Sequence, residues 1–159
     1  MSYWPVSVKK SQTTDRPYVI CSPCSLVKNW QNEFTKWLGE GVVKTLAIAE
    51  ADKATVQKNL DAFVKTKLFS VLIASYECLR AHVGRLSKHK DCCDLLVCDE
   101  AHRLKNGDNQ TSKALNSLPV ERRVLLTGTP MQNGTYQYRC STIPPSIFVV
   151  CHAGQSCTI

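Results

Sequence analysis

The segment Leu95-Leu-Val-Cys-Asp99-Glu100-Ala101-His102 sets two adjacent carboxylates directly after four apolar residues. A strand that is apolar at consecutive positions is buried on both faces, and it delivers the next residues to the carboxyl end of its sheet, where α/β folds keep their ligands. Two carboxylates there could handle phosphate chemistry. Asp99 could hold Mg²⁺ through its water shell while the metal bridges the β- and γ-phosphates of ATP. Glu100 could polarise the water that attacks the γ-phosphorus, and His102 could relay the nucleotide state to neighbouring loops. A strand ending in a solvated acidic turn has the same local pattern, so the pair needs company to mean more.

Company comes some twenty-five residues later in Leu125-Leu126-Thr127-Gly128-Thr129-Pro130-Met131-Gln132-Asn133, again an apolar run ending in small polar residues. The hydroxyls of Thr127 and Thr129 flank Gly128, which lets another loop come close and exchange hydrogen bonds with them. The phrase is similar to the coupling motif of helicases, which senses the γ-phosphate and moves the grip on nucleic acid. Asp99, Glu100, His102 and Gln132 are therefore the expected nucleotide contacts, Asp99 and Glu100 the expected catalytic pair, and Thr127, Gly128 and Thr129 the expected coupling element.

The elements that must position these residues recur at near-regular intervals. Pro17–Ser22, Val43–Ile48, Ser70–Ser75, Asp94–Asp99 and Arg122–Thr127 are short β-rich runs, several of them apolar throughout. Between the first two, Leu26, Val27, Trp30, Phe34, Trp37 and Leu38 share one helical stripe, stopped by Gly39 and Gly41. The aromatic residues of that stripe are expected in the core rather than as base-stacking platforms. Ala51–Lys67 and Tyr76–Leu86 predict further helices, and Asp108 can N-cap a short one running through Leu118. Strands alternating with helices predict a doubly wound α/β domain over residues 17–133. Residues 1–16 are polar and broken by proline, like a tether. Residues 134–159 have neither period and are expected to be an irregular tail, in which Cys140, Cys151, His152 and Cys157 lack the close pairing of zinc ligands.

The chain of 159 residues carries 20 Lys and Arg against 13 Asp and Glu, a net charge of +7. That balance suits a phosphate-rich partner, and equally a solvated basic surface. No run approaches the ~20 apolar residues of a membrane helix, and the N-terminus has no charged start and apolar centre like a secretory signal, so no membrane partner is expected. Several of the nine cysteines sit inside apolar runs, where a reduced thiol acts as a small hydrophobe. Cys21 and Cys24 have a C-x-x-C spacing without a second pair, and His89, Cys92 and Cys93 are too crowded to be spaced ligands.

Four phrases taken together resemble successive motifs of the first motor lobe of Swi/Snf-type ATPases: Ser22-Pro-Cys-Ser-Leu-Val-Lys-Asn-Trp30, Ile73-Ala-Ser-Tyr-Glu77, Asp99-Glu-Ala-His-Arg-Leu-Lys-Asn106 and Thr127-Gly-Thr-Pro-Met-Gln-Asn133. Ser25-Leu-Val-Lys-Asn-Trp30 and Asn109-Gln-Thr111 resemble the recombination-repair branch in particular, while Ala101 stands where that branch is expected to have glycine. RNA helicases with the same Asp-Glu-Ala-His box carry Ser-Ala-Thr in place of Thr127-Gly-Thr129. The resemblance implies a RecA-like, doubly wound, mostly parallel sheet flanked by helices, with ATP and Mg²⁺ as cofactors in the complete protein. It also implies double-stranded DNA and a strand-exchange recombinase as partners, and a nuclear location. Carried over by position, Ser25, Lys28, Ser75 and Tyr76 are the expected contacts to the DNA backbone; Lys28 is equally well read as a solvated helix lysine.

None of the seven glycines is followed by lysine, so the 159 residues contain no G-x-x-x-x-G-K-[ST] phosphate cradle. In the family that cradle and its strand precede the Pro17 run, and a second lobe comes after Asn133. The expectation is therefore an incomplete first lobe. It leaves several readings: a fragment of a DNA translocase acting in homologous recombination or a chromatin-remodelling member of the same family, a non-enzymatic DNA- or recombinase-binding module, or an RNA helicase fragment, which Thr127-Gly-Thr129 argues against.

Overall fold

The computed structural model describes residues 16–49, 52–104 and 110–128, and the backbone of 147–151 and 156–157. In chain order the elements are β1 (Tyr18–Ser22), α1 (Val27–Leu38), β2 (Thr45–Ile48), α2 (Lys53–Thr66), β3 (Val71–Ser75), α3 (Tyr76–Leu86), β4 (Leu95–Cys98), α4 (Gln110–Asn116), β5 (Arg122–Thr127), β6 (Ile147–Cys151) and β7 (Ser156–Cys157). They form one sheet in the order β2-β3-β1-β4-β5-β6-β7, parallel from β2 to β6 and antiparallel only at β7.

Strand order and the right-handedness of parallel crossovers together decide which face each helix covers. The connection from β1 to β2 runs one way along the sheet, past β3. Those from β2 to β3, β3 to β4 and β4 to β5 run the other way. Accordingly α1 packs on one face and α2, α3 and α4 on the opposite one. Strand side chains divide in the same way: Val19, Cys21, Leu72, Ala74, Leu96, Cys98 and Leu125 join Leu60, Phe63, Leu79 and Leu115 in the larger core cluster. Ile20, Val71 and Ile73 face the other way and meet Val27, with Trp30, Phe34 and Val97 packed against them. Burial on both faces explains why these strands lack an alternating pattern in the sequence.

Local signals set the helix limits. Asp52 caps α2, its carboxylate accepting from the Thr55 N–H at 2.9 Å, and Ser75 caps α3 by accepting from the Cys78 N–H at 3.1 Å. At the end of α1, Gly39 adopts φ of 90°, a conformation open to glycine at no steric cost, as predicted from the Gly39/Gly41 stop. Asp108, the expected cap of the last helix, lies outside the described residues.

Two expectations need correction. Trp37 is not core: it is 69% exposed, its indole donates to Glu33, and Lys36 stands over its ring. The stripe on α1 outruns the strand residues it packs on, which Val27, Trp30 and Phe34 cover, so its outer aromatic stays in water. The second correction concerns the tail. Ile147–Cys151 pairs in parallel with β5 from Arg123 to Thr127. The far edge of β5 offers a row of unsatisfied N–H and C=O groups, and Ile-Phe-Val-Val is a run of high β propensity able to take them. No helical or alternating pattern leads into that run, which is why the sequence alone left it isolated. Cys140 and His152 of the tail lie outside the described residues, as do residues 1–15 of the expected 1–16 tether.

Among the described residues no helix is long and apolar enough to cross a membrane, and no three His, Cys, Asp or Glu side chains converge to hold a metal. Cys21 and Cys24 are both free thiols, as are Cys78, Cys92, Cys93 and Cys98. Burial pushes the Cys98 thiol up to about 12 and raises Cys21 and Cys93 as well, so these three pack as neutral thiols.

Candidate nucleotide and nucleic acid site

At the carboxyl edge of the sheet, β1 feeds α1 on one face while its neighbours β3 and β4 feed helices on the other. Crevices therefore open on both sides of β1, the topological position at which open α/β sheets hold ligands. Asp99 sits in the crevice between β1 and β4, its N–H donating to the Cys21 carbonyl at 2.8 Å, so the parallel pairing runs up to the acidic pair itself.

Three further hydrogen bonds fix Asp99. The Trp30 indole N–H of α1 donates to Oδ2 at 2.8 Å, the Glu100 N–H donates to Oδ1 at 2.9 Å, and the Tyr76 hydroxyl of α3 donates to the Asp99 carbonyl at 2.7 Å. Hydrogen bonds to a charged acceptor contribute about 1.5–3 kcal/mol each, so the indole alone holds the carboxylate firmly. Glu100 pays for its place with a left-handed backbone, φ 51°, which turns the chain sharply out of β4. Its Oε2 lies 3.1 Å from His102 Nδ1, both side chains being partly exposed. Beyond it comes a short 3-10 turn, Ala101–Leu104, with Ala101 and Leu104 buried beneath it.

The loop is also anchored to α3. Arg103 forms an ion pair with Glu77 at 3.1 Å and lies over the Tyr76 ring at 5.3 Å. From the β5 side, Thr127 is buried with Gly128 next to it, and a Cβ placed on Gly128 would come 4.0 Å from Glu100 Oε1. The fold thus brings Asp99, Glu100, His102, Thr127 and Gly128 to one edge. Thr129 and Gln132 lie outside the described residues.

The four expected DNA contacts divide. Ser25, in the 3-10 turn leading into α1, and Lys28, in its first turn, are exposed. Ser75 and Tyr76 are 4% and 2% exposed. Their hydroxyls are turned inward, Ser75 to cap α3 and Tyr76 to reach Asp99, so neither presents a side chain to a phosphate. Cys24, Ala49, Lys53, Ser75, Glu77 and His82 line a cleft across the ends of β1, β2 and β3. Desolvation, with Arg85 and Lys53 nearby, lowers the His82 pKa. The residue that sequence reasoning missed is Trp30. Its place on an apolar helical stripe marked it as core; only its position one turn into a helix beginning at the carboxyl edge could have signalled a partner there.

The residues present fit a Mg²⁺ carried on a triphosphate. Asp99 is a hard oxygen donor whose two carboxylate oxygens each keep a lone pair beyond the N–H they accept, enough to hold water of the metal shell.

Residues 4–140 match the SNF2-related domain family. The chain belongs to that family. Its SNF2-related domain is 47% identical over 121 residues to the DNA repair and recombination protein RAD54 of Oryza sativa subsp. japonica, covering 76% of this chain and 12% of that protein. It is 48% identical over 124 residues to the DNA repair and recombination protein RAD54-like of Homo sapiens, covering 76% of this chain and 16% of the relative. Protein CHROMATIN REMODELING 25 of Arabidopsis thaliana is 44% identical over 121 residues, covering 76% and 13%. The chain therefore spans less than a fifth of these relatives. Among solved structures, the Sulfolobus solfataricus SWI2/SNF2 ATPase core in complex with dsDNA superposes with a TM-score of 0.59 at 24% identity, over 79% of this chain and 24% of that one. The parallel sheet and its flanking helices are those of a RecA-like SNF2 ATPase lobe.

Proposed function

We propose that this chain is part of the first motor lobe of an ATP-driven translocase on double-stranded DNA that serves homologous recombination. The observation that carries the reading is the fixing of Asp99 between Trp30 of α1 and Tyr76 of α3. It ties the acidic pair to the starts of two helices, one of which presents Ser25 and Lys28 to solvent. The identity to RAD54 proteins supports the repair role over chromatin remodelling, and a strand-exchange recombinase as partner and a nuclear location go with it.

In this reading Asp99 holds the water shell of Mg²⁺, which when bound neutralises the phosphate charge. Glu100, held out of β4 by its left-handed turn, orients the attacking water, and its carboxylate bond to His102 keeps it from swinging away. Gly128, next to Thr127, lies close enough to Glu100 to register its position. Ser25, Lys28 and the backbone at the start of α1 touch phosphates and read no sequence.

Two measurements test this. Residues 1–159 bind a short duplex by fluorescence anisotropy, and Lys28→Ala weakens binding alike for unrelated sequences, lowering the salt slope by about 1. With the lobe joined to a phosphate cradle and a second lobe, Glu100→Gln stops hydrolysis while nucleotide and duplex still bind. Wild-type turnover in Glu100→Gln removes the assignment of the base, and sequence-selective loss in Lys28→Ala removes that of the phosphate contact. A non-enzymatic binding module is the second reading. Duplex binding with no gain of turnover on joining the missing parts selects it.

A further inference from the structure

We infer that Trp30 is a positioning residue for Asp99 and the link through which phosphate contact at the start of α1 is felt at the metal-holding carboxylate; this rests on the proposed DNA contact of Ser25 and Lys28. The indole joins two sites that the fold otherwise keeps on different elements. Its N–H donates to Asp99 Oδ2 at 2.8 Å, across 69 residues of sequence. Its ring packs beside Phe34, with centroids 6.4 Å apart, and against the cluster of Ile20, Val27, Val71 and Ile73.

Geometry makes this bond responsive to the helix. Lys28 and Trp30 share the first turn of α1, so they move as one piece. Val27, 0% exposed, seats that turn on β1 and β3, while Ser25 and Lys28 lie on its solvent side. A displacement of the turn by about 1 Å carries the 2.8 Å contact beyond hydrogen-bond range. Asp99 Oδ1 stays on the Glu100 N–H, so losing the indole frees one oxygen and not the other. The carboxylate then turns about the bond it keeps, which changes the direction it offers to a metal-bound water. Tyr76, the first residue of α3, donates to the Asp99 main-chain carbonyl, a different group from the carboxylate oxygen that the indole holds.

The experiment uses the whole chain. The Trp30 indole N–H is identified in a ¹H–¹⁵N spectrum by its loss in Trp30→Phe. It shifts in Asp99→Asn, and in the wild type it shifts on adding a short duplex. Duplex affinities of wild type, Trp30→Phe, Asp99→Asn and the double variant form a cycle; removing the Asp99 charge acts alike in both Trp30 backgrounds and cancels. The expected coupling is about 5-fold, the low end for linked sites. The inference is overturned if the indole resonance ignores Asp99→Asn, or if the Ser25 and Lys28 amides move with duplex while the indole does not. It is overturned too if the cycle closes within about 2-fold, below the whole range for linked sites. In the second and third of these the DNA reading survives; absence of any duplex binding removes both. Should Trp30→Phe lose its amide dispersion, the two resonance shifts in wild type and Asp99→Asn decide alone.

Discussion

The hydroxyl of Tyr76 donates to the main-chain carbonyl of Asp99 at 2.7 Å, joining the first residue of α3 to the residue that ends β4. The phenol is 2% exposed, so no water stands ready to replace it. Removing it leaves a carbonyl short of a donor at the point where the chain turns into Glu100. Tyr76→Phe is expected to lower stability by about 1 kcal/mol, read as an earlier midpoint in urea with unchanged slope. An unchanged midpoint would show the carbonyl satisfied without the phenol.

Phe63 and Trp37 should behave in opposite ways although both are aromatic residues on helices. Phe63 is 1% exposed in the larger core cluster, and Phe63→Ala is expected to cost about 3–5 kcal/mol. Trp37 is 69% exposed, and Trp37→Ala should stay within about 0.5 kcal/mol of wild type. Equal losses in a denaturant titration would place Trp37 back in the core.

Glu100 occupies a left-handed conformation that costs a side-chain-bearing residue about 1–2 kcal/mol and glycine nothing. Glycine also gains about 0.5–1 kcal/mol of freedom in the unfolded chain, which offsets part of that relief. Glu100→Gly is thus expected to be as stable as the wild type or slightly more so, while losing the carboxylate beside His102. A thermal melt showing a clear drop would mean that the turn is held by more than its backbone.

Asp52 gives the fold a defined acid sensitivity. Hydrogen bonds from the Thr55 side chain and then the Thr55 N–H hold its carboxyl below the usual range. A folded value below the unfolded one means that the cap stabilises fully above about pH 4, the unfolded value, and that this stabilisation fades as pH falls through the lower folded value. Asp52→Ala should therefore melt below wild type at pH 7, and the gap should close in strong acid. A gap that stays constant across that range would show the cap to be uncharged in effect.

Residue types and their order were enough to place the strands and the chemistry at their ends. Consecutive apolar positions such as Leu95 to Cys98 can be satisfied only by burial on both faces, and a parallel sheet then leaves Asp99 and Glu100 at its carboxyl edge whatever the strand order. The same logic placed Thr127 and Gly128 at that edge, and glycine at position 39 ended α1 because left-handed backbone there suits it. Which side chains meet across the edge was settled only by the packed fold. Trp30 and Trp37 lie on one apolar stripe seven residues apart, yet one reaches Asp99 and the other stands in water, because only the earlier part of the stripe, Val27, Trp30 and Phe34, packs on the strand residues beneath α1. Ser75 and Tyr76 carry hydroxyls suited to phosphate, but capping α3 and bracing Asp99 claim them first. Ile147–Cys151 found β5 because an open sheet edge offers unpaired backbone groups to any extended apolar run within reach. Periodicity records how each segment is buried; strand order and helix crossing, which depend on contacts far apart in the chain, record against what.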